Sequence, residues 1–162
     1  MHRIFREKKH TMKRVMKKRT LILVAPLVLF GALQLIPVSR TNPPVVTPMK
    51  WNSAETKALA ERACMDCHSN QTVWPWYSHV APVSLFVAHH VEDGRHELNF
   101  DELNTMRKSV DRMGEEIEEV IEKGEMPLSS YYPMHPTARL TEAEKVTLVA
   151  GLRESMAATL GQ

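Results

Sequence analysis

Two thiols and an imidazole stand within five residues in the segment CMDCH, where Cys64, Cys67 and His68 sit together and the rest of the 162-residue chain has no other cysteine. The spacing is the C-x-x-C-H pattern of covalent c-type haem attachment. Each thiol can add across one vinyl group of a porphyrin, and the two intervening residues let both reach the ring while the next imidazole falls under the iron. The pattern therefore predicts one haem c held through Cys64 and Cys67, with His68 as the proximal ligand. Three other chemistries use such a pair. A thioredoxin-like dithiol wants a preceding strand and a helix starting at the first cysteine. A zinc site needs four ligands and would have to recruit His79, His89, His90 or His135. A disulfide between residues three apart would staple almost nothing.

A low-spin iron needs a ligand on its other face. The segment GEMP, Gly124 to Pro127, is similar to the distal methionine loop of small cytochromes c, which makes Met126 the first choice. A thioether is soft, favours the ferrous state and raises the potential, as suits an electron carrier. Met134 and His135 in YYPMHP are the alternatives. The aromatic residues Trp74, Trp76, Tyr77, Tyr131 and Tyr132 are candidates for the wall of the cofactor site, Trp76 and Tyr132 before the others. Arg95 is placed to pair with a propionate, or else is a solvated loop charge. His79, His89, His90 and His96 read as surface or hydrogen-bonding residues rather than a second metal site, since His89 and His90 cannot face the same way on a helix.

The elements that must position these groups read as helices. A helix capped by Ser53 leads into the cysteines. VSLFVAHHVEDG, 83–94, carries a helical apolar face closed by Gly94. Met106, Val110, Met113, Ile117, Val120 and Ile121 make one stripe on a helix ending at Gly124. Thr141 and Glu144 have the spacing of a capping box, opening a terminal helix whose buried face is expected to be Val146, Val149, Leu152, Met156 and Leu160. No run alternates long enough to build a sheet, so the expected fold is all-α, a cytochrome c-like haem domain with long irregular loops. That much loop in a small domain calls for a large apolar cofactor as filler.

Charge is split along the chain. Met1 to Thr20 holds nine lysines and arginines against Glu7 alone, and twelve basic and eighteen acidic residues follow it. The basic residues form a head on an acidic body rather than a stripe on a folded face, which argues against nucleic-acid binding. Leu21 to Val38 is uncharged with Gln34 its one strongly polar residue. Eighteen helical residues span about 27 Å, against about 30 Å of hydrocarbon. With Lys17, Lys18 and Arg19 abutting it, the run predicts an uncleaved transmembrane anchor rather than a removed signal. The expected organisation is a cytoplasmic head over 1–20, an anchor over 21–38, a proline-rich stalk over 39–52 and a haem domain over 53–162. This places the protein in the bacterial cytoplasmic membrane as a single-pass chain with its haem domain in the periplasm.

The chain resembles the haem-binding domain family of c-type cytochromes, small haem proteins often anchored by one amino-terminal helix. The resemblance rests on CMDCHSNQTVWPWYSHVAPVS (64–84), DGRHELNF (93–100) and GEMPLSSYYPMHPTARLTEAE (124–144), and covers roughly Trp51 to Leu160. It implies haem binding and electron transfer. The expected role is one-electron exchange with redox partner proteins in or near the membrane, by a carrier rather than an enzyme. A gas sensor with a displaceable Met126, or a peroxidase-like haem with an open distal side, are the alternatives.

Overall fold

The structure, a computed structural model, describes residues 21–161. The basic head over 1–20 lies outside the described residues. Helix α1 is described over 21–33, followed by α2 (Ala54–Ala63), α3 (Met65–His68), α4 (Val83–Glu97), α5 (Val110–Glu122) and α6 (Glu142–Leu160). Among the described residues there is no strand, so the domain is all-α. Helix α5 packs on α6, α2 on α6 and the motif helix α3 on α4. Leu59, Phe100, Leu103, Met113, Leu148 and Met156 form the centre of the core.

Local signals explain where the helices start. The Ser53 hydroxyl accepts from the Thr56 amide and so satisfies one free donor at the head of α2. Ser109 does the same for Arg112 at the head of α5. That cap sets the start of α5 at Val110, so Met106 precedes the helix expected to carry it. Helix α4 does not stop at Gly94 but runs on to Glu97. The face of α6 is also shifted from the expected one. Leu148, Gly151, Leu152, Ser155 and Met156 are buried, while Val146 is 71% exposed.

The capping box of α6 is complete. Thr141 Oγ1 accepts from the Glu144 amide, and the Glu144 carboxylate accepts from the Thr141 amide and from Arg62 at 2.6 Å. The Thr141 amide first, and then Arg62, hold the Glu144 carboxyl down at about 2. A carboxylate with a depressed folded-state pKa stabilises the protein above its unfolded value and loses that contribution as pH falls through the folded value. Acid unfolding between about pH 4.5 and 2 is therefore expected to flatten in Glu144→Gln. Thermal midpoints across that window check this, and parallel curves for the two proteins would refute it.

The expected membrane anchor is overturned, because among the described residues no helix is long and apolar enough to cross a membrane. Helix α1 is described over 13 residues, about 20 Å, and the chain then turns through i to i−3 hydrogen bonds at Gln34, Leu35 and Ile36. Gln34, the one strongly polar residue of the run, docks on the domain: its Nε2 donates to the Ala81 carbonyl at 3.1 Å and its Oε1 accepts from the Ala81 amide at 2.9 Å. The placement in a cytoplasmic membrane, the periplasmic side for the domain and the tethering beside membrane partners all rested on that anchor and fall with it.

Residues 39–52 are a strap rather than a stalk. Arg40 donates to the Ser78 carbonyl, Asn42 to that of Thr72, and the Val46 and Thr47 amides to that of Asp101. Trp51 meets the edge of Phe100 with ring centres 6.1 Å apart, and the Asn52 amide donates to Ser155. A proline-rich segment cannot fold back on itself as a helix, so its backbone groups find partners on the domain instead.

Candidate functional site

Between the end of α2, the motif helix, α5 and α6 lies an apolar cleft of about 230 Å³. Its walls come from Ile117, Val120 and Ile121 on α5, Leu148 and Leu152 on α6, and Phe100. Cys64, His68 and Met126 all line it. At its edge Lys108 pairs with Glu116 at 2.7 Å and with Glu97 at 3.5 Å, a charged rim on an apolar interior. The bond from Lys108 is the main cause holding the Glu116 carboxyl below its ordinary range.

His68 is held from two directions by one short segment. Its Nδ1 lies 3.0 Å from the Leu98 carbonyl, which can only accept, so the proton sits on Nδ1 and the Nε2 lone pair is left for a ligand. The Phe100 amide donates to the His68 carbonyl at 2.9 Å, and the two rings lie 6.4 Å apart. Burial lowers the His68 pKa, against the opposing pull of the Leu98 carbonyl, so the neutral, ligating form is favoured.

The two thiols are free rather than joined. Burial, then Cys67, pushes the Cys64 thiol up to about 12. Burial, then Asp66, pushes Cys67 up to about 11, against Arg95. Thiols this far above neutrality are poor nucleophiles for disulfide exchange, and no strand precedes the motif among the described residues, so the geometry disfavours a redox dithiol. Cys67 does not line the cleft; it lies against α4 at Gly94. A side chain built on Gly94 would come within 2.7 Å of the Cys67 carbonyl oxygen and 3.0 Å of its Cβ. The glycine thus lets α4 press on the motif backbone, and ending a helix is not its role.

Met126 is placed by the way α5 ends. Gly124 has φ +69°, the left-handed region in which other residues are strained. The reversed chain brings the Glu125 and Met126 amides back to the Val120 carbonyl at 2.9 and 3.1 Å. Met126 is thereby fixed against the last turn of α5, beside Val120 and Ile121 of the cleft wall.

An apolar cleft offering an imidazole with a free Nε2, a thioether and a thiol is a donor set that suits haem iron rather than a hard cation. The family comparison agrees, since the haem-binding domain matches residues 28–154, most of the chain. The chain belongs to the haem-binding domain family. No curated protein and no solved structure matches it. Among the described residues no group of three or more histidine, cysteine or acidic side chains could hold a metal ion, and His79, His89, His90 and His96 form no such cluster.

Several expected site residues of this haem-binding domain lie elsewhere. Trp76 is 72% exposed, and neither it nor Tyr132 lines the cleft. Tyr132 instead carries the Arg139 guanidinium 4.5 Å above its ring. Arg95 is a structural tie: Nε donates to the Ser69 carbonyl, and the terminal nitrogens donate to the Thr41 carbonyl, Asn42 Oδ1 and Thr72 Oγ1. His135 is stacked on Tyr131, and Met134 is half exposed; neither lines the cleft. The residues not foreseen were Leu98 and Phe100, which hold His68. Their signal was faint: a hydrophobic residue followed two positions later by an aromatic one within DGRHELNF.

Proposed function

We propose that the protein carries single electrons on a c-type haem bound in this cleft. Cys64 on the cleft wall, and Cys67 behind it against α4, would hold the group by thioether bonds, His68 through Nε2 and Met126 through its sulfur. When bound, the haem supplies a ferric–ferrous couple. The observation that carries the reading is that His68 and Met126 line one apolar cleft while His135 is held outside it.

The chain's own groups favour carriage over catalysis. Peroxide chemistry needs an acid–base group over the reacting face. Of the titratable groups lining the cleft, Cys64 would be taken up in a thioether bond, His68 is fixed by Leu98, and Glu97, Lys108 and Glu116 are paired at the rim. The apolar wall lowers the local dielectric, and an imidazole with a thioether as ligands would raise the potential. Leu98 and Phe100 fix His68 through backbone groups that carry no charge to titrate, which would limit rearrangement on electron transfer.

Absorption spectra of both oxidation states, in the native chain and in Met126→Ala, test this. The expected result is a low-spin ferric protein whose weak far-red sulfur-to-iron band vanishes in the variant, with a lower reduction potential. A high-spin ferric spectrum in the native protein would overturn the His68–Met126 pair and favour gas binding or peroxide chemistry.

A further inference from the structure

Two aromatic contacts outside the cleft join the segment that carries Met126 to the segment that carries His68. The Tyr131 hydroxyl donates to Asp66 Oδ2 at 2.6 Å, and Asp66 lies inside the cysteine motif. The Tyr77 hydroxyl and His135 Nε2 are also 2.6 Å apart, tying the loop after the motif to the same segment. Between these bonds the Tyr131 and His135 rings stack, with centres 3.9 Å apart and planes 5° from parallel. None of these four residues lines the cleft.

We propose that the Tyr131–Asp66 and Tyr77–His135 bonds form a clasp that holds the Met126 loop at the cleft that His68 also lines, Tyr131 being the positioning residue. This rests on the reading of Met126 as the distal ligand.

The loop has no helix to stiffen it between Met126 and Pro136. At its start the Met126 amide is bound to the Val120 carbonyl. Beyond it the chain makes a tight turn, with the Tyr131 amide on the Leu128 carbonyl at 2.9 Å and the His135 amide on the Tyr131 carbonyl at 3.1 Å. A short loop fixed at one end and turned tightly at the other transmits the position of Tyr131 to Met126. Asp66 is itself anchored, since its Oδ1 accepts from the Val73 amide at 3.2 Å and its carbonyl from Thr72 Oγ1 at 2.8 Å. A hydrogen bond to a carboxylate is among the stronger kinds, and this one closes across 65 residues of sequence. Loss of the clasp frees the loop, and a freed loop gives up its iron ligand more readily to a competitor.

The test uses the haem-loaded full chain and its Tyr131→Phe variant, which keeps the ring stack and removes only the hydroxyl. Imidazole is titrated into the ferric protein by absorption, and amide hydrogen exchange is followed over residues 124–136. The expected result is about tenfold tighter apparent imidazole binding in the variant, with faster exchange in that segment. Asp66→Asn, whose one amide oxygen cannot replace both the oxygen that accepts from Val73 and the one that accepts from Tyr131, should move both readouts in the same direction as Tyr131→Phe. If Tyr131→Phe does not load haem, Tyr77→Phe gives the same readouts through the other bond. Unchanged imidazole affinity together with unchanged exchange would overturn the clasp. A native protein without the sulfur-to-iron band would instead overturn the ligand reading, and the exchange data would still decide whether the clasp holds the loop.

Discussion

Gly94→Ala is expected to lose most of its bound haem while keeping its helices. The new Cβ would stand 2.7 Å from the Cys67 carbonyl oxygen and 3.1 Å from its carbonyl carbon, and those are backbone atoms with no rotamer to move into. Either α4 or the motif helix must shift. Overpacking of this kind costs about 1–3 kcal/mol. For a domain of this size that is a loss of about 2–12 °C in the melting midpoint, which leaves a folded protein. The effect on the cofactor should be larger than the effect on the fold, because the displaced backbone is that of Cys67, one of the two thiols and the residue bonded to His68. The end of α4 also leads directly to Leu98, whose carbonyl holds the imidazole, so a shift on either side changes that 3.0 Å bond. The ratio of haem to protein by absorption, with the melting midpoint, checks this. Gly31→Ala is the control, since a side chain there meets nothing within 4 Å. Native haem content in Gly94→Ala would show that the close approach does not govern loading.

What could be read from the residues divides along a physical line. Signals local in sequence were legible: Ser53, Thr141 and Glu144 cap where their types and spacing require, and C-x-x-C-H announces haem within five residues. Signals that depend on what lies opposite were not. Gly94 looks like a helix terminator until Cys67 is found against it, and Gly151 gives no hint that it faces Thr56. The phase of α6 is hidden because Val146 looks like a core residue, whereas the small residues Gly151, facing Thr56 of α2, and Ser155, bonded to Asn52 before it, mark the buried face. Gln34 is the one strongly polar residue of an apolar run, and nothing in the sequence says that its amide provides the complementary donor and acceptor that dock the run on Ala81. Trp76 and Tyr132 have the size and character of cofactor-wall residues but stand outside the cleft. Aromatic residues serve equally in clasps, cation contacts and exposed patches, so type alone does not place them at a cofactor.

Gly151→Ala is expected to be the most destabilising single methyl group in the protein. The added Cβ would overlap Thr56 Oγ1 and lie 2.7 Å from its Cγ2 and 2.9 Å from its Cβ. Thr56 is 1% exposed and its hydroxyl is 2.9 Å from that of Ser53, so rotation is no escape. The helices must separate, and the cost should reach the upper end of about 1–3 kcal/mol or exceed it. On a domain of this size that lowers the melting midpoint by on the order of 10 °C. Thr56→Ala in the same chain should recover part of the loss, because it removes the two nearest atoms and leaves the Cβ contact. The two changes should therefore couple by about 1–3 kcal/mol in a double-mutant cycle, whereas additive effects would show that the crossing is not where the strain falls. Haem content should fall as well. Helix α2 ends at Cys64 and α6 carries Leu148 and Leu152, so the crossing that Gly151 allows is also what closes two walls of the cleft on each other.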